Sequence, residues 1–186
     1  MTSTPGFPFA VSLDTAAVLT GRSKRTWQRR IEEGLVPRLD DGRGRALVPF
    51  EVVRPAVTLE LDSAEVLALV RADQGDAQAQ AETGALFALA TLEEARAQQD
   101  GREPGTGDSG AFNTGGATHS IAAHFLAQAA EQGEADAMHW LGLLHAAGRG
   151  EGDHDALALM WIAKAAAHGH VIAQQQLAGM VPSARG

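Results

Sequence analysis

Three stretches of this chain can be laid one above another, and that repetition limits what it can fold into. Gly75-Asp76-Ala77-Gln78-Ala79 is followed by Gly84, nine residues after Gly75. Gly133-Glu134-Ala135-Asp136-Ala137 is followed by Gly142, and Gly169-His170-Val171-Ile172-Ala173 by Ala178, each at the same spacing. Upstream of the last two copies, the run from Phe125 to Gly133 matches the run from Trp161 to Gly169, so these copies are 36 residues apart. The first two are 58 apart, an excess of 22. A repeat of this length is one supersecondary unit that cannot bury its apolar face alone, so adjacent units must stack.

The residue types specify helix–turn–helix units. Small residues (Ala137, Gly142, Ala158, Ala165, Ala166) recur at helical spacing and let helix axes approach closely. Larger ones (Trp140, Leu141, Leu144, Leu157, Trp161, Ile162) fill the space between layers. Gly133 and Gly169 stand where a helix must stop and suit a left-handed cap. Gly148-Arg149-Gly150 breaks the chain between helices ending near Ala147 and starting near Asp153. A half-unit helix near Ala64 to Gln74 opens the array, and a single helix near Met180 ends it.

The excess of 22 residues falls in Asp100 to Ser120, which carries six glycines and few apolar side chains. Such a stretch cannot bury enough surface to offset its ordering entropy, so residues 100–118 are expected to form a flexible insertion. A functional loop projecting from one face is the alternative.

The unit from Ala137 to Gly169 resembles the Sel-one-like repeat, a relative of the tetratricopeptide repeat. The resemblance rests on Leu141-Gly142, Gly148-x-Gly150, Ala158-x-x-Trp161, Lys164-Ala165-Ala166 and Gly169. His145 stands where that family prefers Tyr, and His154 where it prefers Asp; Phe87 holds the aromatic position of the first copy. The resemblance implies a short α-solenoid over 62–180 that binds another protein, on its groove or on an uncapped terminal face near Met180.

Charge divides the chain differently. Between Gly21 and Arg54 nine Lys or Arg stand against five acids, a net of +4, although the whole chain carries −8. The rest therefore carries −12, making a basic head and an acidic body. There is no cysteine, which excludes disulfides, thiolate metal sites and cysteine nucleophiles. No apolar run approaches the roughly 18 residues that span a bilayer, and the first ten residues do not read as a secretory signal. The expectation is a soluble cytoplasmic protein with no membrane partner and flexible tails at 1–10 and 181–186.

Within the head, Ser12 reads as the N-cap of a short amphipathic helix through Leu19, Thr20-Gly21-Arg22 as a turn, and Ser23 as the N-cap of a second helix stopped by Gly34. On the second helix Trp27 and Ile31 face inward. Arg25, Gln28 and Arg29 then fall on the opposite face, with Lys24 and Arg30 at its flanks. Leu35 to Leu39 and Arg45 to Val48 are β-prone pieces around Asp40-Asp41-Gly42-Arg43-Gly44, a hairpin pattern.

Residues 11–58 resemble the winged helix-turn-helix of MerR and phage-excisionase regulators. The matching residues are Ser12 to Leu19, Gly21, Ser23, Thr26, Ile31, Glu33-Gly34-Leu35-Val36-Pro37-Arg38 and Arg45 to Pro49. The resemblance implies double-stranded DNA as a partner, with Arg25, Gln28 and Arg29 meeting base edges in the major groove. Arg22, Lys24, Arg30, Arg38, Arg43 and Arg45 would contact phosphates or act from the wing, which has the minor groove as its alternative. MerR-type regulators dimerise through a long helix after the head. The repeat body occupies that place here, so a homodimer or a partner complex would form through the body. One such head buries a small DNA interface, on the order of 600–1,000 Å².

Other patterns have simpler explanations. All seven histidines (His119, His124, His139, His145, His154, His168, His170) lie in the body. However, His119/His124 and His168/His170 lack the i, i+4 spacing common in metal sites, so no metal is expected. Gly105-x-Gly107-x-x-Gly110 matches a dinucleotide fingerprint only formally, with no strand before it. No nucleophile–base arrangement or paired carboxylates suggest catalysis, and neither enzyme activity nor a cofactor is expected. Trp140 and Trp161 read as inter-helix packing rather than a binding hot spot. The expected fold is mainly α: a small winged helix-turn-helix head plus a short right-handed α-solenoid of helical hairpins. The expected function is a DNA-binding transcriptional regulator or accessory factor, with a non-DNA adaptor carrying a degenerate head as the alternative.

Overall fold

The computed structural model describes residues 9–42, 44–99, 114–149 and 151–180. Residues 1–8 of the N-terminal tail, Arg43, the insertion residues 100–113 with their glycine fingerprint, Gly150 and the tail 181–186 lie outside the described residues. The fold is mainly helical with one small sheet. By packing it divides into two units, Met1–Asp76 and Ala77–Gly186.

The first unit is built on side-chain caps. Ser12 Oγ accepts the Thr15 amide and starts α1 (Leu13–Thr20), which ends at Gly21 with φ +63°. Ser23 Oγ accepts the Thr26 amide and starts α2 (Lys24–Glu32). Trp27 is 1% exposed, and its indole N–H donates to Thr20 Oγ1 at 3.3 Å, tying α2 to α1. Strand β1 (Ala10–Ser12) was not foreseen. It pairs antiparallel with β3 (Ala46–Pro49), which also pairs with β2 (Leu39–Asp40), giving the order β1-β3-β2. Ala10, expected in a tail, thus opens a strand. Its ladder partner Pro49 lies 39 residues away, so no local signal announces the pairing. Helix α3 (Phe50–Val53) and a 3-10 turn (Arg54–Ala56) follow, burying Phe50 and Val53.

Helix α4 (Ser63–Asp73) begins with a reciprocal capping box between Asp62 and Glu65. The repeat pattern assigned this helix to the body, but packing groups it with the first unit. The link is Asp73, whose side chain is 4% exposed. It accepts the Ser12 amide at 3.0 Å, the Thr15 hydroxyl at 2.5 Å and the Ser12 hydroxyl. One buried carboxylate thus joins the end of α4 to the junction of β1 and α1.

The second unit contains α5 (Ala77–Gln99), α6 (Thr114–Glu131), α7 (Ala135–Ala146), α8 (His154–Ala167) and α9 (Val171–Met180). Helix α5 packs chiefly on α6, and α7 on α8. Further contacts of α7 with α5 and α6, and of α8 with α9, continue the stack. A Cβ on Gly84 of α5 would sit 2.6 Å from Leu126 Cγ, and one on Gly142 of α7 would sit 2.8 Å from Ile162 Cγ1. Leu126 and Ile162 are themselves 36 residues apart, so the same close approach recurs in both copies. The separations Gly84–Leu126 and Gly142–Ile162, 42 and 20 residues, differ by the same excess of 22.

The turns repeat as well. Gly133 and Gly169 adopt φ +96° and +92°, and Gly75, at the end of α4, adopts +93°. After each glycine the next amide reaches back five residues: Asp76 to Arg71, Glu134 to Ala129 and His170 to Ala165, at 3.0–3.2 Å. This is the Schellman closure, which needs a left-handed residue and so favours glycine, which has no Cβ to strain there.

The expected flexible insertion 100–118 is corrected at its end, because α6 begins at Thr114. Glycine content was the signal there, and each helical glycine costs only about 1 kcal/mol. Fully buried Thr118, with Ile121 and Ala122 beside it, provides packing that outweighs this cost.

Candidate nucleic-acid interface

Helix α2 brings the base-reading candidates together. Its pattern is strongly one-sided: Trp27 is buried, while Arg25, Gln28, Arg29 and Glu32 are exposed and line one shallow pocket of 270 Å³. Arg25 and Arg29 are one turn apart, and Gln28 lies between them, so one solvent-facing surface presents two guanidinium groups and an amide. Such donors suit base edges and phosphates. Among the described residues Arg22 and Arg25 form no ion pair.

The other described cations of the head are engaged. Lys24 meets Asp14 at 2.5 Å, Arg29 meets Glu33 at 3.7 Å, and Arg38 meets Asp40 at 3.0 Å. Arg45 pairs with Asp41 at 3.0 Å and lies 3.9 Å from Asp73. Arg54, not among the candidates, pairs with Glu51 at 3.4 Å and lies over the Phe50 ring. Exposed pairs of this kind contribute about 0–1 kcal/mol, so a phosphate can replace such a carboxylate at little cost. Arg30 differs from its neighbours. It is half-buried with its guanidinium 5.4 Å from the Trp27 ring centre, so packing rather than exposure governs it. Arg38 and Arg45 belong to the hairpin, where Asp41 accepts the Arg45 amide at 3.0 Å and closes the turn. A cleft of 760 Å³ beside this hairpin is lined by Ala10, Leu47, Arg45, Asp41 and Asp73 among others. Both of its carboxylates are engaged by Arg45.

The second unit has a cleft of 170 Å³ between α5 and α7, lined by Gln78, Ala81, Glu82, Ala85, Glu134, Asp136 and Trp140. Trp140 and Trp161 are both half-buried, and Lys164 lies 4.5 Å from the Trp161 ring centre. At the far end Val171 and Ile172 of α9 are 63% and 55% exposed, and Leu159 of α8 is also exposed.

Five of the seven histidines fall into two groups that their spacing concealed. His145 and His154 approach to 6.3 Å between ring centres. Buried atoms without hydrogen-bond partners gather in the same part of the unit: Nδ1 of His119, His145 and His154, and Oε2 of Glu94. Burial pushes His119 and His145 below the ordinary histidine range, with Arg149 and His145 adding to the effect on His119 and His154 to that on His145. Burial raises Glu94, partly opposed by Arg149. Elsewhere His139 and His170 stack. Among the described residues no three His, Asp or Glu side chains can share a metal ion, and no helix is long and apolar enough to cross a membrane. No family model, curated protein or solved structure matches this chain.

Proposed function

We propose that residues 11–58 act as a winged helix-turn-helix that binds double-stranded DNA, and that the helical body is a short α-solenoid of Sel-one-like repeats that binds a protein partner or a second copy of the chain. The chain is then a transcriptional regulator or accessory factor. The observation that carries the DNA reading is the exposed Arg25–Gln28–Arg29 surface on the second of two capped helices, in a unit that also holds a basic hairpin. Arg25, Gln28 and Arg29 would read bases, while Arg22, Lys24, Arg38, Arg43 and Arg45 would neutralise phosphates. The acidic cleft beside Trp140 and the apolar end of α9 are the surfaces offered to a protein.

The second reading, an adaptor whose head does not bind DNA, draws on the number of head cations already paired with carboxylates. Fluorescence anisotropy with duplex DNA across a salt series separates the two. For the DNA reading, affinity falls steeply with salt, and Arg25→Ala/Arg29→Ala costs about 1–3 kcal/mol per base contact. Absent or salt-independent binding favours the adaptor.

A further inference from the structure

The last helix, α9, is held at its start by two stacked histidines. The ring of His139, from the middle of α7, lies 4.1 Å from that of His170, with 29° between their planes. Both are largely buried, His139 8% exposed and the His170 side chain 11%. His170 precedes α9 and acts as its N-cap. Its Nδ1 accepts the Ala173 amide at 3.1 Å, while its carbonyl accepts the Gln174 amide at 3.0 Å. His139 reaches the same helix from the other side, its Nε2 lying 3.1 Å from Gln176 Oε1.

An imidazole nitrogen can cap a helix only while it carries no proton. His170 is therefore the Nε2–H tautomer, with that nitrogen 3.5 Å from Asp136 Oδ1. Protonation at Nδ1 would set two donors against each other, leave the fully buried Ala173 without its amide acceptor, and place a positive charge at a helix N-terminus. It would also bring a cation against the face of His139. We propose that the His139–His170 pair is a pH-sensitive latch that holds α9 on α7 when neutral and releases it on acidification.

The surrounding charges agree with the direction. Burial is the main influence on His139 and lowers its proton affinity; the Gln176 hydrogen bond raises it, His170 lowers it and Asp136 raises it. The ionisable groups that act on His139 are His170 and Asp136, and α9 carries no charged residue. A histidine lowered in the folded state stabilises the fold fully above its unfolded pKa of about 6.5, and that contribution is lost as pH falls through the folded value. For His139 the contribution to the closed latch is thus complete above about pH 6.5 and is lost as pH falls below it.

Amide hydrogen exchange on the full chain at pH 7.5 and 5.5, corrected for intrinsic exchange, tests this. Protection of residues 171–180 is expected to fall at least about tenfold relative to α5, the scale of one protonation event. In His139→Gln/His170→Asn, uncharged amides replace both rings and an amide oxygen replaces the cap, so α9 should stay protected at both pH values. This variant retains His119, His145 and His154, so acid effects from those histidines are separated. Long-range nitrogen–proton correlation should show His170 as the Nε2–H tautomer at pH 7.5. Equal loss of protection in α9 and α5, a wild-type pH response in His139→Gln/His170→Asn, or an Nδ1–H tautomer of His170 would each overturn the proposal.

Discussion

The two units solve the same problem, closing short helices onto one another, with different emphasis. The first uses side chains. Serine hydroxyls cap α1 and α2, Trp27 supplies bulk and a hydrogen bond to α1, and Asp73 joins α4 to β1 and α1. The second also caps α8 and α9 with Asp153 and His170, but between its helices it relies on the absence of side chains. Gly84 and Gly142 let Leu126 and Ile162 approach the helix backbone, and glycines at equivalent turns reverse the chain. A side-chain design depends on particular atoms and accommodates many sequences elsewhere. A close-contact design must be repeated wherever helices meet, and for that reason it leaves a visible period.

Substitutions can break this contrast, beginning with the largest expected effect. Asp73→Ala strands three donors at a buried junction, and each such loss costs about 1–3 kcal/mol without strict additivity, so about 3 kcal/mol is expected from urea unfolding. The loss should appear in amide protection of α1 and β1 and spare α7 and α8. Uniform loss would mean that the two units do not divide the stability as described. Gly142→Ala forces a Cβ against Ile162 and the Ala158 carbonyl oxygen, which overpacking places at about 1–3 kcal/mol. Better helix propensity offsets up to about 1 kcal/mol of this. A neutral or stabilising result in thermal unfolding would show that close approach is not what organises the second unit. Ser23→Ala removes one cap hydrogen bond and should cost about 1 kcal/mol, the smallest of the three. If it cost as much as Asp73→Ala, local capping rather than the buried junction would dominate the first unit.

What could be read in advance tracks the range of the responsible interaction. Ser12 and Ser23 act on amides three residues away, and Gly133 and Gly169 close turns within five, so at these caps the helix boundaries in the sequence and in the structure agree closely. The base-reading candidates Arg25, Gln28 and Arg29 share an exposed face because one helix carries all three, and 3.6-residue periodicity needs no tertiary information. Arg30 is the exception on that helix. Its attraction to the Trp27 face competes with solvent, and spacing alone does not decide the winner.

The features that escaped sequence reading all depend on distant partners. Strand β1 exists because β3 offers it an edge, and α4 belongs with the first unit because Asp73 meets Ser12 across 61 residues. His139 and His170 look unrelated in a list of histidines, but the Gly169 turn brings the second ring onto the first. By itself the sequence determined the helical repeat spacing, its turns and the exposed Arg25–Gln28–Arg29 face of α2, since these follow from residue chemistry within a few turns of chain. Tertiary structure alone decided which units the helices join and which titratable groups meet. Those outcomes depend on closing long loops around a shared core, and that cost and gain belong to no short segment.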